Sequence, residues 1–562
     1  MRPSFAVLSL IALAFGACSP RTPELAGPPS APAAQVAQGA LEGVWAEDDK
    51  SVALFAGIPY AAPPIGERRW APPVPPASWE GVREAGKAGA RCMQPDDGQG
   101  GFIRRVVLSQ GLVEPALGQT LNRLAALQGA PMSEDCLYLN VRAGAGADRA
   151  ARPVMVWIHG GSHQTGSGAD PRLSGNALVR NGVVLVTVNY RLNAFGYLSH
   201  PALTAESSTG ASGNYGLQDL IAALGWVQEN IRAFGGDPDN VTIFGESAGG
   251  QSVSQLMASP LARGLFDKVI LQSGVYSYDF RRIDDSRGEE FIRASGLVAG
   301  PADAAALRSI PAEAILKALT ATPPPGGNFM PGADGVVLPM PVGRAIAEGA
   351  YAQTPVLAGY NADEGTLLYP TIGGPSVDVP RSPEDRGSRL AAFRAAYGDV
   401  ADPLIRFYGL DHPTEWRGAE ATMLGDSLFG VHTRFLGKAA AARRQPTFLY
   451  FFSRRPPQEG QTAGAFHSAE IPFVFGTNDW LLEMSEADRE LSRLMGLYWT
   501  NFARTGNPNG QGLPPWPGYG ESDQWLILDH SLRVESGVRR DRLDLLERDL
   551  TGRIEASAGA SR

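Results

Sequence analysis

Val241-Thr242-Ile243-Phe244-Gly245-Glu246-Ser247-Ala248-Gly249-Gly250 is the stretch from which the fold can be predicted. An apolar run ends in Gly-Glu-Ser-Ala-Gly, and a segment with apolar residues at helical spacing follows directly. This order predicts a strand, a tight turn that carries Ser247, and a helix. The glycines at positions 245 and 249 allow strand and helix to pass closely. The backbone N–H of Ala248 then lies at a helix N-terminus, where it can donate to an oxyanion.

Apolar runs on both sides of this stretch predict the other core strands. They are continuously apolar instead of alternating, as expected for central strands that are covered on both faces. Helical patterns lie between several of them, for example over residues 216–233. The alternation predicts an α/β fold, with a central, mostly parallel sheet, helices on both faces, and loop or helix insertions around the candidate site. The predicted strands are 154–158, 183–188, 241–244, 269–271, 356–358 and 448–452.

Composition divides the chain into four segments. Residues 1–17 combine Arg2 with an apolar run too short to span a bilayer, which predicts a secretory signal peptide. Residues 18–38, rich in Pro, Ala and Gln, predict a flexible tether. Core strands and motifs are scattered through 39–555 without a linker-like break, so this part is expected to be a single catalytic domain, followed by a flexible tail at 556–562.

The signal segment ends in Phe15-Gly16-Ala17-Cys18, with small residues before a cysteine. This resembles a bacterial lipoprotein cleavage box, in which the cysteine becomes the lipid-bearing N-terminus, although Phe15 stands where leucine is usual. We therefore expect an exported protein, a periplasmic or outer-membrane lipoprotein of a bacterium attached to the membrane through Cys18. Plain secretion is the alternative.

The chain has three cysteines, Cys18, Cys92 and Cys136. If Cys18 carries lipid, one pair remains in an oxidising compartment, where a disulfide is expected. Closing that loop is worth about 4 kcal/mol on the chain-entropy model. The alternative is two buried free thiols. No Cys-x-x-Cys pair is present, and the sequence predicts no zinc site.

The charge balance bears on the class of partner. The formal net charge is −9 and the isoelectric point is near 5.5, so a polyanion would be repelled. We expect no nucleic-acid partner and a small-molecule substrate.

A serine hydroxyl needs a base to become a nucleophile. Seven histidines are available, and in folds with this serine turn the order along the chain is serine, acid, histidine. His467 lies in a loop after the apolar run 448–452, which is where a catalytic base is needed. His432 lies on a helical pattern and is interpreted as structural, and His412 and His530 lie in polar turns.

Two further segments of the predicted catalytic site each come directly after a predicted core strand. Asp363 and Glu364 come directly after the run 356–358, and their spacing leaves both as candidates for the acid that orients the histidine. Gly160-Gly161-Ser162 follows the run 154–158 and can provide the second group of backbone donors for an oxyanion. The predicted oxyanion donors are Gly161, Ser162 and Ala248.

A set of further motifs is spread along most of the chain. They are Phe55-Ala56-Gly57-Ile58-Pro59-Tyr60-Ala61, Ser133-Glu134-Asp135-Cys136-Leu137-Tyr138-Leu139-Asn140, Asn189-Tyr190-Arg191-Leu192, Asn214-Tyr215-Gly216-Leu217-Gln218-Asp219, Phe234-Gly235-Gly236-Asp237-Pro238 and Tyr498-Trp499-Thr500-Asn501-Phe502-Ala503. Together with the serine turn, these motifs resemble the type B carboxylesterase family, which includes cholinesterases and bacterial para-nitrobenzyl-type esterases within the α/β-hydrolase superfamily.

The resemblance implies a serine carboxylesterase with the catalytic residues Ser247, Glu364 and His467 and no metal or organic cofactor. It selects Glu364 over Asp363, and it also implies the Cys92–Cys136 disulfide. A histidine base predicts that activity falls below roughly pH 6–7. The alternatives are a catalytically silent cholinesterase-like binding protein, and an amide or peptide hydrolase on the same fold.

The chain departs from the family pattern in two places. Where the family usually has a third glycine or alanine, often followed by phenylalanine, this chain has Ser162 and His163. The added bulk of Ser162 predicts poor turnover of esters of tertiary alcohols, and His163 is expected either to contact substrate or to pack. Between Cys92 and Cys136 there is no tryptophan to face a quaternary ammonium, so choline esters are not expected as preferred substrates. A helical spacing in that loop (Leu117, Leu121, Leu124 and Gln128) predicts a lid or a surface helix.

Overall fold

The structure is a computed structural model, and it describes Met1 and residues 31–95, 102–110, 118–120, 131–145, 151–275, 282–372, 385–455, 460–477 and 484–559. The described residues from 32 onward cluster as one compact unit. Residues 2–17 of the predicted signal peptide, Cys18 and the four residues of the predicted loop helix lie outside the described residues. In the part of the chain described, no helix combines the length and the apolar character needed to cross a bilayer.

The strands are β1 Ala33–Val36, β2 Gly39–Glu42, β3 Val44–Trp45, β4 Val52–Pro59, β5 Val82–Glu84, β6 Arg91–Cys92, β7 Met132–Ser133, β8 Tyr138–Gly144, β9 Arg152–Ile158, β10 Val184–Val188, β11 Gly236–Glu246, β12 Lys268–Gln272, β13 Val356–Asn361, β14 Thr447–Phe452, β15 Gln524–Leu528 and β16 Arg533–Ser536.

The α-helices are α1 Phe102–Leu108, α2 Asn176–Arg180, α3 Asn193–Tyr197, α4 Pro201–Glu206, α5 Tyr215–Asn230, α6 Ala248–Ala258, α7 Asp285–Ser295, α8 Ala304–Arg308, α9 Ala312–Ala321, α10 Val342–Glu348, α11 Gly365–Ile372, α12 Arg386–Tyr397, α13 Ala401–Tyr408, α14 Trp416–Gly425, α15 Val431–Ala442, α16 Ile471–Phe475, α17 Glu486–Thr505 and α18 Arg540–Gly559. Short 3₁₀ turns lie at Gly66–Arg68, Pro171–Leu173, Ile231–Phe234, Pro260–Ala262 and Gly398–Val400, and a π-helical turn lies at Asp426–Gly430.

An eleven-stranded sheet in the order β16-β15-β14-β13-β12-β11-β9-β10-β8-β4-β3 organises the described part of the chain. From β10 to β15 all neighbouring strands are parallel, whereas β8, β4 and β3 at one edge and β16 at the other are antiparallel. Each predicted core strand is present, so the prediction of a mostly parallel α/β sheet is confirmed.

The two faces of the sheet bury separate apolar layers. In β9, Val154, Val156 and Ile158 face one layer, while Met155 and Trp157 face the other. Both layers exclude water, which explains why the parallel strands are apolar without alternation. Each fully buried aliphatic or aromatic side chain contributes about 1.5–3 kcal/mol. The parallel strands therefore form a rigid platform, and their carboxyl ends share one edge of the sheet.

The predicted tether and tail boundaries are both wrong by a few residues. β1 lies inside the predicted tether and pairs antiparallel with β2, and the N–H of Ala37 donates to Asn230 Oδ1 over 2.8 Å. Composition misses this strand because its few residues carry no apolar run, and the strand is held by a hairpin partner and by the contact of the adjacent Ala37 with the distant Asn230. At the other end, α18 continues to Gly559, beyond the predicted end of the domain at 555.

Candidate active site

Ser247 lies between β11 and α6 in a strained turn. Its backbone has φ 55° and ψ −125°, and its N–H donates to Gln272 O over 3.0 Å. This conformation is uncommon for a residue other than glycine and marks functional turns. A Cβ at Gly249 would lie 2.0 Å from Ile158 O, so only glycine fits where the helix crosses β9. The predicted strand–turn–helix arrangement is confirmed.

A glycine-rich turn, residues 159–166, follows β9 and packs against the serine turn. A Cβ at Gly160 would lie 2.8 Å from Glu246 Oε2 and 3.2 Å from Ser247 Cβ. Gly161 has φ 103°, and its carbonyl accepts from the N–H of Thr165 over 3.0 Å. We call residues 159–166 the glycine turn. Because it lies against Ser247, its backbone donors and the helix N-terminus are brought to one place.

His467 and Glu364 form a buried pair. His467 lies between β14 and α16, and its Nδ1 is 2.6 Å from Glu364 Oε2. The exposed fraction is 4% for His467 and 1% for Glu364, so water does not compete for this bond. The other oxygen of Glu364 accepts from the Ser273 hydroxyl and, over 2.7 Å, from the N–H of Asn361. These contacts fix the carboxylate, which in turn fixes the imidazole.

The structure distinguishes the two acid candidates. Asp363 Oδ2 accepts from the N–H of Ala465 over 2.9 Å and lies 3.6 Å from Arg455. Asp363 therefore holds the loop that carries His467 and is not the hydrogen-bond partner of its ring. Glu364 occupies the position that the family resemblance implied.

Two further carboxylates surround His467, and sequence reasoning did not assign them a role. Glu246 Oε1 lies 3.2 Å from His467 Nε2. Glu470 is fully buried and accepts from Gln272 Nε2 over 3.0 Å and from Asn361 Nδ2 over 2.6 Å. We call Glu246, Glu364 and Glu470 the acidic cluster. Glu246 is a charged residue at the end of an apolar strand, and this sequence signal could have indicated that it belongs to the site.

The acidic cluster changes the proton affinity of His467. Burial alone would lower the pKa of His467, but the charges of Glu246 and Glu364 outweigh it and raise the pKa above its usual value. Burial also raises the pKa of Glu246, against the opposing charge of His467. By contrast, burial lowers the pKa of His159 to about 4 and that of His432 to about 3. His467 is thus set apart from these two buried histidines as a strong base.

An aromatic ring covers the face of His467. Phe429 stacks on the imidazole with ring centroids 4.9 Å apart and an interplanar angle of 16°. It belongs to the π-helical turn, which is fixed by Asp426: this carboxylate accepts from Arg539 Nη1 over 2.6 Å and from the hydroxyl of Tyr408 over 2.7 Å. π-Helical turns are frequent at functional sites because they reposition one side chain. The sequence carried no recognisable signal for it.

The predicted disulfide is present between Cys92 and Cys136, which lie 4.9 Å apart between Cα atoms. It lies beside the glycine turn, because Gln94 donates from Nε2 to Gly166 O and accepts from the N–H of Gly166, both over 3.0 Å. Gln94, two residues after the disulfide-bonded Cys92, therefore supports the turn that follows β9.

The remaining histidines lie as their sequence context indicated. His432 is buried within α15, and His412 and His530 do not approach Ser247 in any contact of the described chain. His163, whose role the sequence left open, is completely buried. Ser162 is exposed, next to Gly161.

A model of the Carboxylesterase family matches residues 30–546. The chain belongs to the carboxylesterase family. Curated relatives cover it almost completely. It is 36% identical to the Fumonisin B1 esterase of Sphingopyxis macrogoltabida, over 89% of this chain and 86% of the relative. It is also 36% identical to the Para-nitrobenzyl esterase of Bacillus subtilis (strain 168), over 88% and 94%.

Solved structures agree with these relatives. A structure of a PNB esterase aligns with a TM-score of 0.74 and 33% identity, and covers 92% of this chain and 100% of that one. The fold is thus the α/β-hydrolase fold, and this member of the carboxylesterase family is a carboxylic-ester hydrolase.

Proposed function

We propose that this carboxylesterase acts through an acyl-serine intermediate, with Ser247 as nucleophile, His467 as general base and Glu364 as the acid that orients it. The pairing of His467 Nδ1 with Glu364 carries the proposal. It leaves Nε2 as the reactive nitrogen, and Nε2 faces Glu246, the residue before Ser247. The same pairing selects the neutral tautomer with its proton on Nδ1.

In the proposed reaction His467 Nε2 accepts the proton of the Ser247 hydroxyl while Oγ attacks the ester carbonyl. The oxyanion that forms accepts hydrogen bonds from the backbone N–H groups of Gly161, Ser162 and Ala248. The alcohol leaves with the proton from His467. A water molecule then gives a proton to His467 and attacks the acyl carbon. The bond from that carbon to Ser247 Oγ breaks, Oγ takes the proton back from His467, and the carboxylic acid is released.

The first test is hydrolysis of p-nitrophenyl acetate, butyrate and octanoate by the wild-type protein and by Ser247→Ala. We expect turnover by the wild type and a loss of kcat on the order of 10⁴-fold or more in the variant. The preference among the three chain lengths measures the acyl pocket. Activity that survives in Ser247→Ala contradicts the proposed nucleophile.

The amide hydrolase alternative is tested with matched p-nitroanilides. The resemblance to esterases predicts much faster cleavage of each ester than of its anilide counterpart. Equal or faster cleavage of the anilides favours an amidase.

We also propose that the protein is exported and attached to a membrane of a bacterium through lipidated Cys18. The apolar start and the Gly16-Ala17-Cys18 junction support it, and so does the Cys92–Cys136 disulfide, since such bonds persist in oxidising compartments. Labelling of the full chain with radioactive palmitate in a bacterial host tests the proposal. We expect label on the wild type and none on Cys18→Ser. An unlabelled wild type, or label that persists in the variant, overturns it.

A further inference from the structure

His163 is a buried polar residue at a strained position of the glycine turn. Gly161, Ser162 and His163 have φ values of 103°, 56° and 56°, so consecutive residues adopt the left-handed region. For residues other than glycine this conformation costs free energy and persists only where surrounding contacts impose it. The contacts of His163 therefore bear on the geometry of the predicted oxyanion donors.

The imidazole of His163 links the glycine turn to helix α6. Its Nε2 lies 3.1 Å from Ser252 Oγ, and Ser252 Oγ donates to Ala248 O over 3.0 Å. A hydroxyl has one hydrogen to donate, so Ser252 accepts from His163 and Nε2 carries the proton. Ser252 lies one turn after Ala248 on the same helix. The hydrogen-bonded link from His163 through Ser252 thus ends at the carbonyl of Ala248, the residue whose N–H is the third predicted oxyanion donor.

The remaining contacts of His163 hold this link in place. Its backbone carbonyl accepts from the N–H of Asn193 over 2.7 Å. Its ring packs edge-on against Tyr197 with centroids 5.4 Å apart, and against Tyr190 at 6.4 Å. Water is excluded, and a hydrogen bond in such surroundings is stronger than one at the surface. A phenylalanine at this position would keep the aromatic packing and lose the link.

We propose that His163 is a positioning residue that sets the relative position of the two halves of the oxyanion hole. One half is the pair of N–H groups at Gly161 and Ser162, and the other is the N–H of Ala248. The donors must lie within hydrogen-bond distance of the oxyanion at the same time, and the His163–Ser252 bond joins the segments that carry them. This inference rests on the proposed function, because it assumes those three donors.

The variants His163→Phe and Ser252→Ala each remove one end of the link. Complete loss of one oxyanion donor costs about 10²–10³-fold in kcat. Misplaced donors cost less, so we expect each variant to lower kcat for p-nitrophenyl butyrate about 10–100-fold with KM nearly unchanged. The double variant should be no worse than either single variant, because both remove the same bond. His163→Gln, which keeps a donor, should recover most of the activity.

Binding of a trifluoromethyl ketone separates positioning from a general structural role. This probe forms a tetrahedral oxyanion on the serine, so its affinity should fall by the same factor as kcat/KM in His163→Phe and Ser252→Ala. Wild-type kcat in both variants overturns the proposal. A loss of kcat without loss of affinity for the ketone also overturns it, as does a strictly additive double variant. Activity that persists in Ser247→Ala refutes the proposed function itself, whereas a Ser247-dependent enzyme with unaffected His163→Phe refutes only this inference.

Discussion

The glycine turn and the acidic cluster both lie next to Ser247 and are built from different groups. The glycine turn presents neutral backbone N–H groups, fixed by close packing of Gly160 and by strained backbone at positions 161–163. The acidic cluster places three buried carboxylates around one imidazole, His467. The glycine turn is thus held by steric fit, and the acidic cluster acts through charge.

The difference follows from what each side has to do in the proposed reaction. Backbone N–H groups do not titrate, so the glycine turn can stabilise an oxyanion at any pH at which the fold persists. A base must bind a proton and release it, and buried carboxylates increase its affinity for that proton. Burial of several charges is costly unless they are paired and hydrogen-bonded. Charge changes should therefore alter the pH profile, whereas steric changes in the glycine turn should not.

Among changes to these two regions, the largest effect is expected for Glu364→Gln. The variant keeps the shape of the side chain but removes its charge and can present an N–H to His467 Nδ1, which favours the wrong tautomer. Loss of the equivalent charge in a serine triad lowers kcat by about 10⁴-fold, and we expect about 10³–10⁴-fold with p-nitrophenyl butyrate. Asp363→Asn is the matched control and should retain most activity, because Asp363 bonds to the Ala465 N–H. An equal loss in Asp363→Asn would argue against the assignment of the acid.

Gly249→Ala tests the steric fit between α6 and the end of β9, directly before the glycine turn. The added Cβ would meet Ile158 O at 2.0 Å, so α6 has to shift and the Ala248 N–H moves with it. We expect about a 10²-fold loss of kcat, comparable to loss of one oxyanion donor, with an unchanged acid limb of the pH profile. Gly225→Ala on α5 is the control, since no atom lies within 4 Å of its added Cβ. Wild-type kinetics in Gly249→Ala would contradict the close-packing argument.

Glu246→Gln tests whether the charge of the acidic cluster controls the pKa of His467. Loss of the negative charge destabilises the imidazolium form of His467, so its pKa falls and the neutral base persists to lower pH. The acid limb of kcat/KM against pH should move down by about one unit. The raised pKa of His467 also places the wild-type limb above the ordinary histidine range of roughly pH 6–7. A limb that stays in place or moves upward in Glu246→Gln would show that Glu246 does not act on His467.

The smallest effect concerns Ser162, which is exposed beside Gly161. We expect the wild type to hydrolyse tert-butyl acetate far more slowly than n-butyl acetate, because the Ser162 side chain crowds a branched carbinol. Ser162→Gly removes that side chain and should reduce the ratio of the n-butyl rate to the tert-butyl rate about tenfold. An effect of this size is in the range that one or two atoms in a pocket contribute. Efficient hydrolysis of the tertiary ester by the wild type would overturn this prediction.

Local sequence predicted the parts of the site that follow a strand directly. Ser247, the glycine turn and the loop of His467 could be placed because an apolar run that stops at a polar or glycine-rich turn is a short-range pattern. The choice of Glu364 over Asp363 needed the family resemblance, since adjacent residues share the same spacing. The carboxylate oxygens face different partners, and this difference is visible only once β13 and the loop of His467 lie side by side.

By itself the sequence determined the mostly parallel sheet, the serine turn and the cysteine pair, because each depends on residues that are close along the chain or on composition. Only the tertiary structure decided that Glu246 and Glu470 surround His467, that Phe429 covers its ring, and that His163 bonds to Ser252. Except for Glu470, which is close to His467 in the sequence, these contacts join residues that are far apart along the chain. Their strength comes from burial and from angles that exist only in the folded chain.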